Sequence, residues 1–252
     1  MKNIFHNFIA CVTLSCCIVT TNAQFYLKAF TGYSFCPHPI PYANFQETIN
    51  NTVSTTSFKY KPGNGLNVGF AGGYNINSKI GVEINANFIL PHTKEGKYQY
   101  STNFFGRTDA YNLKSSTSVY NFSSMLVFSV PYKSKTNIYF KAGPNFLLLK
   151  TKLNNKTTEY YTNSNSTSIK DEENILKGKI NIGFQGAIGA CFKQSKKISF
   201  FSEFNVINSN YLYKNYTYSN GSNNETGEIS ERIVYNSLAL NVGVKYNLTG
   251  TK

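Results

Sequence analysis

The chain has 252 residues, with 25 Lys and Arg against 12 Asp and Glu, and a formal net charge of +13. This length suits one domain rather than an array of domains. The basic residues are scattered among Asn, Ser, Thr and Tyr and form no dense tract. Because nucleic-acid-binding proteins concentrate positive charge on one face or helix, the composition argues against a nucleic-acid partner and favours an anionic lipid or polysaccharide surface.

The first 23 residues have the pattern of a secretory signal peptide. A lysine near the start is followed by a mostly apolar run over residues 8–19, and Ala23 is a small residue at the end of the segment. The run is shorter than the roughly 20 residues that a spanning helix needs. We therefore expect cleavage after Ala23 and a mature domain over residues 24–252. Lipidation at Cys16 or Cys17 is an open alternative, because the preceding residues loosely fit a lipoprotein signal.

Alternating side chains are the main structural signal in the mature chain. In residues 179–192, apolar side chains alternate with small or amide side chains, so a strand here has one apolar and one polar face. The polar face is too small and glycine-rich for a solvated surface, and it fits the crowded interior of a small barrel whose apolar face meets lipid. The same alternation predicts eight strands, at residues 24–35, 65–77, 80–90, 117–130, 137–149, 179–192, 198–207 and 234–248.

Short and long links alternate between these strands. Residues 78–79, 131–136 and 194–197 form short links, whereas the other four are long and rich in Asn, Ser, Thr, Tyr and Lys. A soluble barrel closes most of its hairpins tightly, but a membrane barrel has short periplasmic turns and long outer loops. We therefore predict an all-β fold, an eight-stranded antiparallel up-and-down transmembrane β-barrel. Its four long extracellular loops would be residues 36–64, 91–116, 150–178 and 208–233.

Two details of the sequence make this prediction easy to check. The alternation breaks at residues 147–149, three successive leucines, which a bulge or an apolar upper lumen would explain. Cys36 and Cys191 fall at opposite ends of the predicted barrel, across an apolar band about 25 Å tall. Since a disulfide needs Cα atoms within about 7 Å, we expect both cysteines to stay unpaired.

The strand sequences also resemble a known family. They are similar to the small outer-membrane β-barrel family, of the OmpA-transmembrane and OmpX kind. The resemblance covers the mature chain and implies an outer-membrane location, insertion by the outer-membrane assembly machinery, and a monomer. Members of this family often end on an aromatic residue that serves as the assembly signal, whereas this sequence continues beyond its last strand. Tyr246 and Leu248 would therefore have to serve as that signal. The segments that carry the resemblance are Ala23-Gln24, residues 139–144 (YFKAGP), 183–190 (GFQGAIGA), 201–204 (FSEF) and 240–246 (LNVGVKY).

Charged residues on the predicted inward faces suggest an internal cluster. All five lie three to five residues from the periplasmic end of their strands, so they should share one height in the lower lumen. Charges in a narrow, poorly hydrated space must be paired, and eight strands leave room only for side chains. We expect a structural plug, with an ion gate or narrow pore as the alternative. The five residues are Lys28, Glu83, Lys141, Glu203 and Lys245.

The chemistry of the predicted loops is sparse. His38 and His92, with Asp109 and a loop serine, would make at most an incomplete hydrolase site, and no metal or cofactor motif is visible. We therefore expect a non-enzymatic surface protein without cofactors, in contact with outer-membrane lipid and lipopolysaccharide, whose loops serve adhesion or host contact. A secreted soluble barrel carrying a hydrophobic ligand, a small channel and an outer-leaflet enzyme remain alternatives. The predicted loop contact surface consists of Tyr211, Tyr213, Tyr216 and Tyr218.

Overall fold

A computed structural model describes residues 24–49, 52–102, 107–161, 164–220 and 223–248. These ranges contain no helix with the length and apolar character needed to span a membrane. Strands account for nearly all of the described chain. The twelve strands in the described ranges are β1 (Gln24–Phe35), β2 (Ile40–Ile49), β3 (Thr52–Tyr60), β4 (Gly65–Asn75), β5 (Ile80–Ile89), β6 (Lys94–Thr102), β7 (Arg107–Lys133), β8 (Thr136–Tyr161), β9 (Ser166–Gly178), β10 (Asn181–Lys193), β11 (Ile198–Ser219) and β12 (Asn224–Asn247).

Eight strands close into a ring, as the sequence predicts. Their order is β1, β4, β5, β7, β8, β10, β11 and β12, with β12 returning to β1 and every neighbouring pair antiparallel. The turn predicted over residues 131–136 is tighter than expected, since β7 runs to Lys133 and β8 begins at Thr136. Both described ends of the chain lie at the rim with the short turns, so that rim is periplasmic in the predicted orientation.

The apolar faces of the ring strands point outward. On β10 the exposed fractions of Ile182 and Phe184 are 71% and 58%, whereas Gln185 on the opposite face is 3% exposed. On β5, Ile84 is 70% exposed and Glu83 beside it only 1%. This arrangement confirms the predicted inside-out pattern. It also disagrees with a ligand-carrying soluble barrel, which would need its apolar faces inside.

The three leucines of β8 reflect an apolar upper lumen rather than a bulge. Leu147 and Leu149 are buried inside the barrel, and Leu148 is 36% exposed on the outside. The pairing of β8 with β7 continues through this stretch without a register shift. The strand alternation is therefore intact, and only the chemistry of the inward face changes from polar to apolar.

The four long links are largely folded as β-structure, although the sequence suggests loops. The β2–β3 hairpin forms a small sheet of its own, and β6 pairs with the outer part of β7. Strand β9 lies between the outer parts of β8 and β11, which continues the wall above β10. The reason is that Thr- and Tyr-rich segments pair well when a neighbouring strand already offers its backbone. The barrel wall thus extends well beyond its apolar belt.

Two further predictions concern the cysteines and the signal peptide. Cys36 and Cys191 are both free thiols, as expected from their positions at opposite ends of the barrel. The Cys36 thiol donates a hydrogen bond of 3.3 Å to the backbone carbonyl of His38. The predicted signal peptide over residues 1–23, including the alternative lipidation at Cys16 or Cys17, lies outside the described residues and stays a prediction.

A charge on the outer face should destabilise the barrel only where that face meets hydrocarbon. Ile188 lies near the middle of β10 and is 45% exposed, and Ile169 on β9 is 60% exposed in the wall above the belt. We expect Ile188→Arg to lower the free energy of unfolding in phospholipid vesicles by about 2–4 kcal/mol. The matched change Ile169→Arg should stay within about 0.5 kcal/mol of the unmodified protein. Equal losses in the two variants would contradict an apolar belt in lipid.

Candidate functional site

Four of the five predicted lumen charges meet in one ion-pair cluster. The Lys28 Nζ lies 2.7 Å from a Glu83 oxygen and 3.9 Å from a Glu203 oxygen. The Lys141 Nζ lies 2.6 Å from Glu83 and 2.7 Å from Glu203. All four side chains are almost completely buried. The cluster is therefore a closed ring of alternating charges, in which Glu83 makes close contacts with both lysines.

Tyrosines complete the cluster, and the sequence did not lead us to expect them. The Tyr26 hydroxyl donates to Glu83 at 2.9 Å, and the Tyr139 hydroxyl donates to Glu203 at 2.9 Å. The Lys28 Nζ also lies 4.7 Å from the centre of the Tyr139 ring, a cation–π distance. These contacts stabilise both acids and one base where burial has removed them from bulk water.

Glycines opposite the two tyrosines give their rings room. Gly73 on β4 pairs with Tyr26, and Gly189 on β10 pairs with Tyr139. A Cβ atom on either glycine would overlap with the ring of the tyrosine opposite. The two glycines therefore accommodate the aromatic rings that contact the charged side chains of the cluster.

Lys245 does not join the ion pairs, so the prediction of two acids and three bases in one cluster is wrong for this residue. It pairs across strands with Lys28, which already occupies the nearby carboxylates. Its Nζ lies 3.7 Å from the centre of the Tyr26 ring, and the residue is partly exposed. Among the described residues Lys245 has no ion pair. The like charge of Lys28 keeps it at the edge of the cluster.

A chain of amides rises from the cluster into the middle of the lumen. Asn205 Nδ2 donates to Glu203 at 2.7 Å, and Gln185 Nε2 donates to Asn205 at 3.1 Å. Asn121 Nδ2 donates to Gln185 at 2.8 Å, and Asn145 Nδ2 donates to Asn121 at 2.9 Å. Every member is buried. The chain links β11, β10, β7 and β8, so it ties separate parts of the ring together through the lumen.

An apolar plug fills the upper lumen above the amides. Tyr211 and Tyr213 of β11 are 0% exposed and belong to this plug. The Tyr211 hydroxyl donates to the carbonyl of Leu149 at 3.0 Å and accepts from its N–H at 2.9 Å, and the Tyr213 hydroxyl lies 2.6 Å from the hydroxyl of Thr151. Further buried members of the plug are Ile89, Val119, Leu147, Leu149, Leu153, Leu176, Ile207, Ile233 and Tyr235.

The predicted tyrosine contact surface is therefore wrong for Tyr211 and Tyr213. Strand β11 extends to Ser219, so the alternation of its inner half continues and turns both rings into the lumen. A register shift follows between Tyr213 and Asn215. Beyond it, Tyr216 is partly buried against the plug and Tyr218 is partly exposed. Of the four tyrosines, Tyr218 retains access to solvent without packing on the plug.

Two groups of the hydrolase site considered from the sequence, Asp109 and His38, contact other polar side chains. Asp109 accepts from Arg107 Nε at 2.7 Å, and the His38 ring lies 3.4 Å from the Asn236 amide. Among the described residues no group of three or more metal-binding side chains occurs. The incomplete hydrolase site considered from the sequence thus has its acid engaged by an arginine. Inside the barrel, the ion-pair cluster, the amide chain and the apolar plug follow one another and fill the lumen.

The two acids of the cluster should differ in their importance. Glu83 contacts both lysines at close range, whereas Glu203 has one close and one longer contact. We expect Glu83→Gln to lower the free energy of unfolding by about 3–5 kcal/mol, and Glu203→Gln to lower it by less, because removing an acid leaves a buried lysine without its partner. Urea titration in detergent micelles, followed by far-UV circular dichroism, would measure both.

A surface ion pair provides the matched control for these variants. Glu95 lies 2.7 Å from the exposed Lys114, and Glu95→Gln removes the same charge. Its effect should be within about 1 kcal/mol. If Glu83→Gln costs no more than Glu95→Gln, the ion-pair cluster does not stabilise the barrel.

Comparison with known proteins found similarity to several solved structures. No protein-family model matches the chain, and no curated protein matches its sequence. Neisserial surface protein A is 12% identical with a TM-score of 0.44, over 89% of this chain and 98% of that one. A major outer membrane protein from Thermus thermophilus is 10% identical with a TM-score of 0.46, over 90% and 99%. The outer membrane protein OprG from Pseudomonas aeruginosa is 10% identical with a TM-score of 0.42, over 91% and 97%. These similar structures are small outer-membrane β-barrel proteins, and the similarity concerns the fold alone.

Proposed function

We propose that the chain is a non-enzymatic, integral outer-membrane β-barrel that carries an extracellular β-structured surface. The observation that carries the proposal is the closed ring of eight strands with an apolar outside and an inside filled by side chains. A closed barrel is the only β-structure that pairs all of its backbone groups within hydrocarbon. An apolar exterior of this extent would promote aggregation in water, whereas a barrel that spans a membrane requires it.

The filled lumen favours a scaffold over a channel. An eight-stranded ring has an interior just wide enough for side chains. Here the ion-pair cluster, the amide chain and the apolar plug follow one another along its length. An aqueous path would have to break the ion pairs and displace Tyr211 and Tyr213. We therefore infer that the barrel anchors and stiffens the protein and does not conduct solutes.

The wall above the belt is the part that would meet partners. Its tip is fixed by Glu159, which lies 2.9 Å from Arg107 and 2.8 Å from Lys170. Hydrogen bonds from Lys170 and then from Tyr161 hold the pKa of the Glu159 carboxyl below its ordinary value. The carboxylate therefore stays ionised at neutral pH and keeps these pairs intact. A tyrosine- and asparagine-rich wall whose tip is held by ion pairs supports a role in adhesion or host contact.

Basic residues just above the belt support contact with lipopolysaccharide. Four exposed cations lie where β8, β9, β10 and β12 leave the apolar zone. Three of them adjoin a buried residue of their strand, so their side chains point away from the barrel axis, and the fourth, Lys179, is exposed in the link between β9 and β10. Phosphates of the outer leaflet are at this height, and each nearby Lys or Arg attracts them by about 1 kcal/mol. The four cations are Lys150, Lys177, Lys179 and Arg232.

A detergent requirement and a heat-dependent gel shift are expected of such a barrel. The mature chain, inserted as a monomer by the assembly machinery, should be extracted from membranes only with detergent. The folded barrel should migrate differently from the boiled chain on a denaturing gel, because detergent at room temperature does not unravel a closed ring of paired strands. Solubility in buffer alone, with no shift on boiling, would refute the membrane location and support a soluble carrier.

A separate measurement addresses the closed lumen. Purified protein inserted into planar bilayers should give no stepwise conductance, since the ion pairs and the plug leave no continuous aqueous path. The control is the Ile169→Arg variant, which leaves the lumen unchanged and should behave identically. Reproducible unitary steps in the unmodified protein would overturn the scaffold function in favour of a channel, without affecting the membrane location.

A further inference from the structure

A cleft at the extracellular mouth concentrates basic residues from separate parts of the chain. We call it the basic cleft. Its volume is about 280 Å³. The turn after β3 contributes Lys61 and Asn64, the link between β5 and β6 contributes His92, and β6 begins there with Lys94. The floor is formed by β7, through Ser115 and Ser116.

The turn that carries Lys61 is held firmly against the barrel. Gly63 has a φ of 83°, a left-handed conformation, and a Cβ atom there would overlap with the hydroxyl of the buried Tyr235. Asn64 Oδ1 accepts a hydrogen bond of 2.6 Å from the Cys36 N–H. The Asn64 N–H also donates to the Lys61 carbonyl at 3.4 Å, so Lys61 begins a turn that is closed on itself and anchored to the barrel at Gly63 and Asn64.

The opposite wall of the cleft is equally well positioned. Lys94 pairs with Ser115 in the β6–β7 register, so the two residues are direct neighbours. Gly96, two residues further along β6, leaves space that the Phe58 ring of β3 fills. The N–H of Leu90 donates to the carbonyl of Leu66 at 2.8 Å, which fixes the start of the His92 link. The cleft is thus preorganised by both walls.

The basic cleft lacks internal charge compensation. None of its described lining residues is acidic. Glu95 follows Lys94 in sequence, but its carboxylate is 2.7 Å from Lys114. Within the described chain neither Lys61 nor Lys94 has an ion pair, and both side chains are exposed. Two cations held beside hydroxyl and amide donors, with no acid among them, form a site for an anion.

We propose that the basic cleft binds a phosphate or sulfate ester carried on a saccharide. Lys61 and Lys94 supply charge for the ester, and the hydroxyls of Ser115 and Ser116 with the Asn64 amide suit sugar hydroxyls. The volume is slightly below the range of typical ligand pockets, roughly 300–1,000 Å³, so the cleft accepts a group of about one sugar ring. The inference rests on the proposed function only for its location, since the predicted orientation places the cleft at the cell surface.

Titration of the full mature chain in detergent micelles tests the site. The probes are N-acetylglucosamine, its 6-phosphate and its 6-sulfate, measured by isothermal titration calorimetry at fixed low salt. We expect both esters, or one of them, to bind more tightly than the free sugar. Lys61→Gln and Lys94→Gln should each weaken binding of the ester by roughly tenfold or more, because each removes a charged hydrogen bond.

Lys133→Gln is the matched control. Lys133 is exposed at the periplasmic turn, and the change alters the net charge equally without touching the cleft. Its affinity for the ester should be unchanged. Preference for the phosphate indicates a phosphorylated bacterial glycan as the natural ligand, and preference for the sulfate indicates a sulfated host glycan. If the free sugar binds as well as both esters, or if Lys133→Gln weakens binding as much as Lys61→Gln, the site does not exist.

Gel-shift assays on the same variants separate the two proposals. All three lysines are exposed, so each variant should retain the heat-dependent shift of the unmodified barrel. Ester binding without a gel shift would leave the basic cleft standing while the membrane location fails. A gel shift without ester binding would leave the barrel proposal standing and eliminate the cleft.

Discussion

Backbone pairing within hydrocarbon is the constraint on which this structure depends. A strand surrounded by lipid has no water for its N–H and C=O groups, so the sheet must close on itself. The pairing of β12 with β1, from Tyr26 opposite Asn247 to Phe35 opposite Leu238, completes that closure. With eight strands the ring is narrow, and the lumen that results holds side chains rather than water. The chemistry of the inward faces follows from this small diameter.

The layers of the lumen show how a narrow barrel tolerates buried charge. Lys28, Glu83, Lys141 and Glu203 neutralise one another at close range, and tyrosine hydroxyls take up remaining acceptor capacity. The amide chain then leads from Glu203 to Asn145, and the apolar plug follows. Polarity thus decreases from the rim with the short turns toward the opposite rim. A buried ion-pair group is weak evidence for stability on its own, but removing one of its members is costly because an opposite charge then stays buried without full compensation.

The sequence allowed the ring strands and their faces to be predicted, because the two-residue alternation is sustained through the whole of β1, β4, β5 and β10. It did not reveal that the long links are strands, since segments such as 107–116 and 166–178 are polar on both faces and pair only because a neighbouring strand is present. Tyr211 and Tyr213 were mistaken for loop contacts because their segment is rich in Tyr and Asn. Continuing the alternation from Ile207 would have placed both inside.

The tyrosines that contact the charge cluster could also have been predicted from the alternation of side chains along a strand. Tyr26 precedes Lys28 by two residues, Tyr139 precedes Lys141 by two, and both therefore share the inward face of their lysine. What sequence alone does not supply is register between strands. Only the pairing of Gly73 with Tyr26 explains why that glycine is present, and only the pairing of Lys245 with Lys28 explains why the third lysine stays outside the ion pairs.

The barrel wall is lower on one side than on the other, and this difference shapes its outer rim. Strands β1 and β5 end at Phe35 and Ile89, whereas β7, β8, β11 and β12 continue far above the belt. On the low side the β2–β3 hairpin takes the place of the missing wall, with Ile40 packed on the plug and Phe58 against β6. The basic cleft lies at the junction between the two heights. There the turn after β3 meets the start of β6, and neither strand covers the space between them. The cleft is therefore a consequence of how a short wall joins a tall one, and it inherits its rigidity from the apolar plug beneath it.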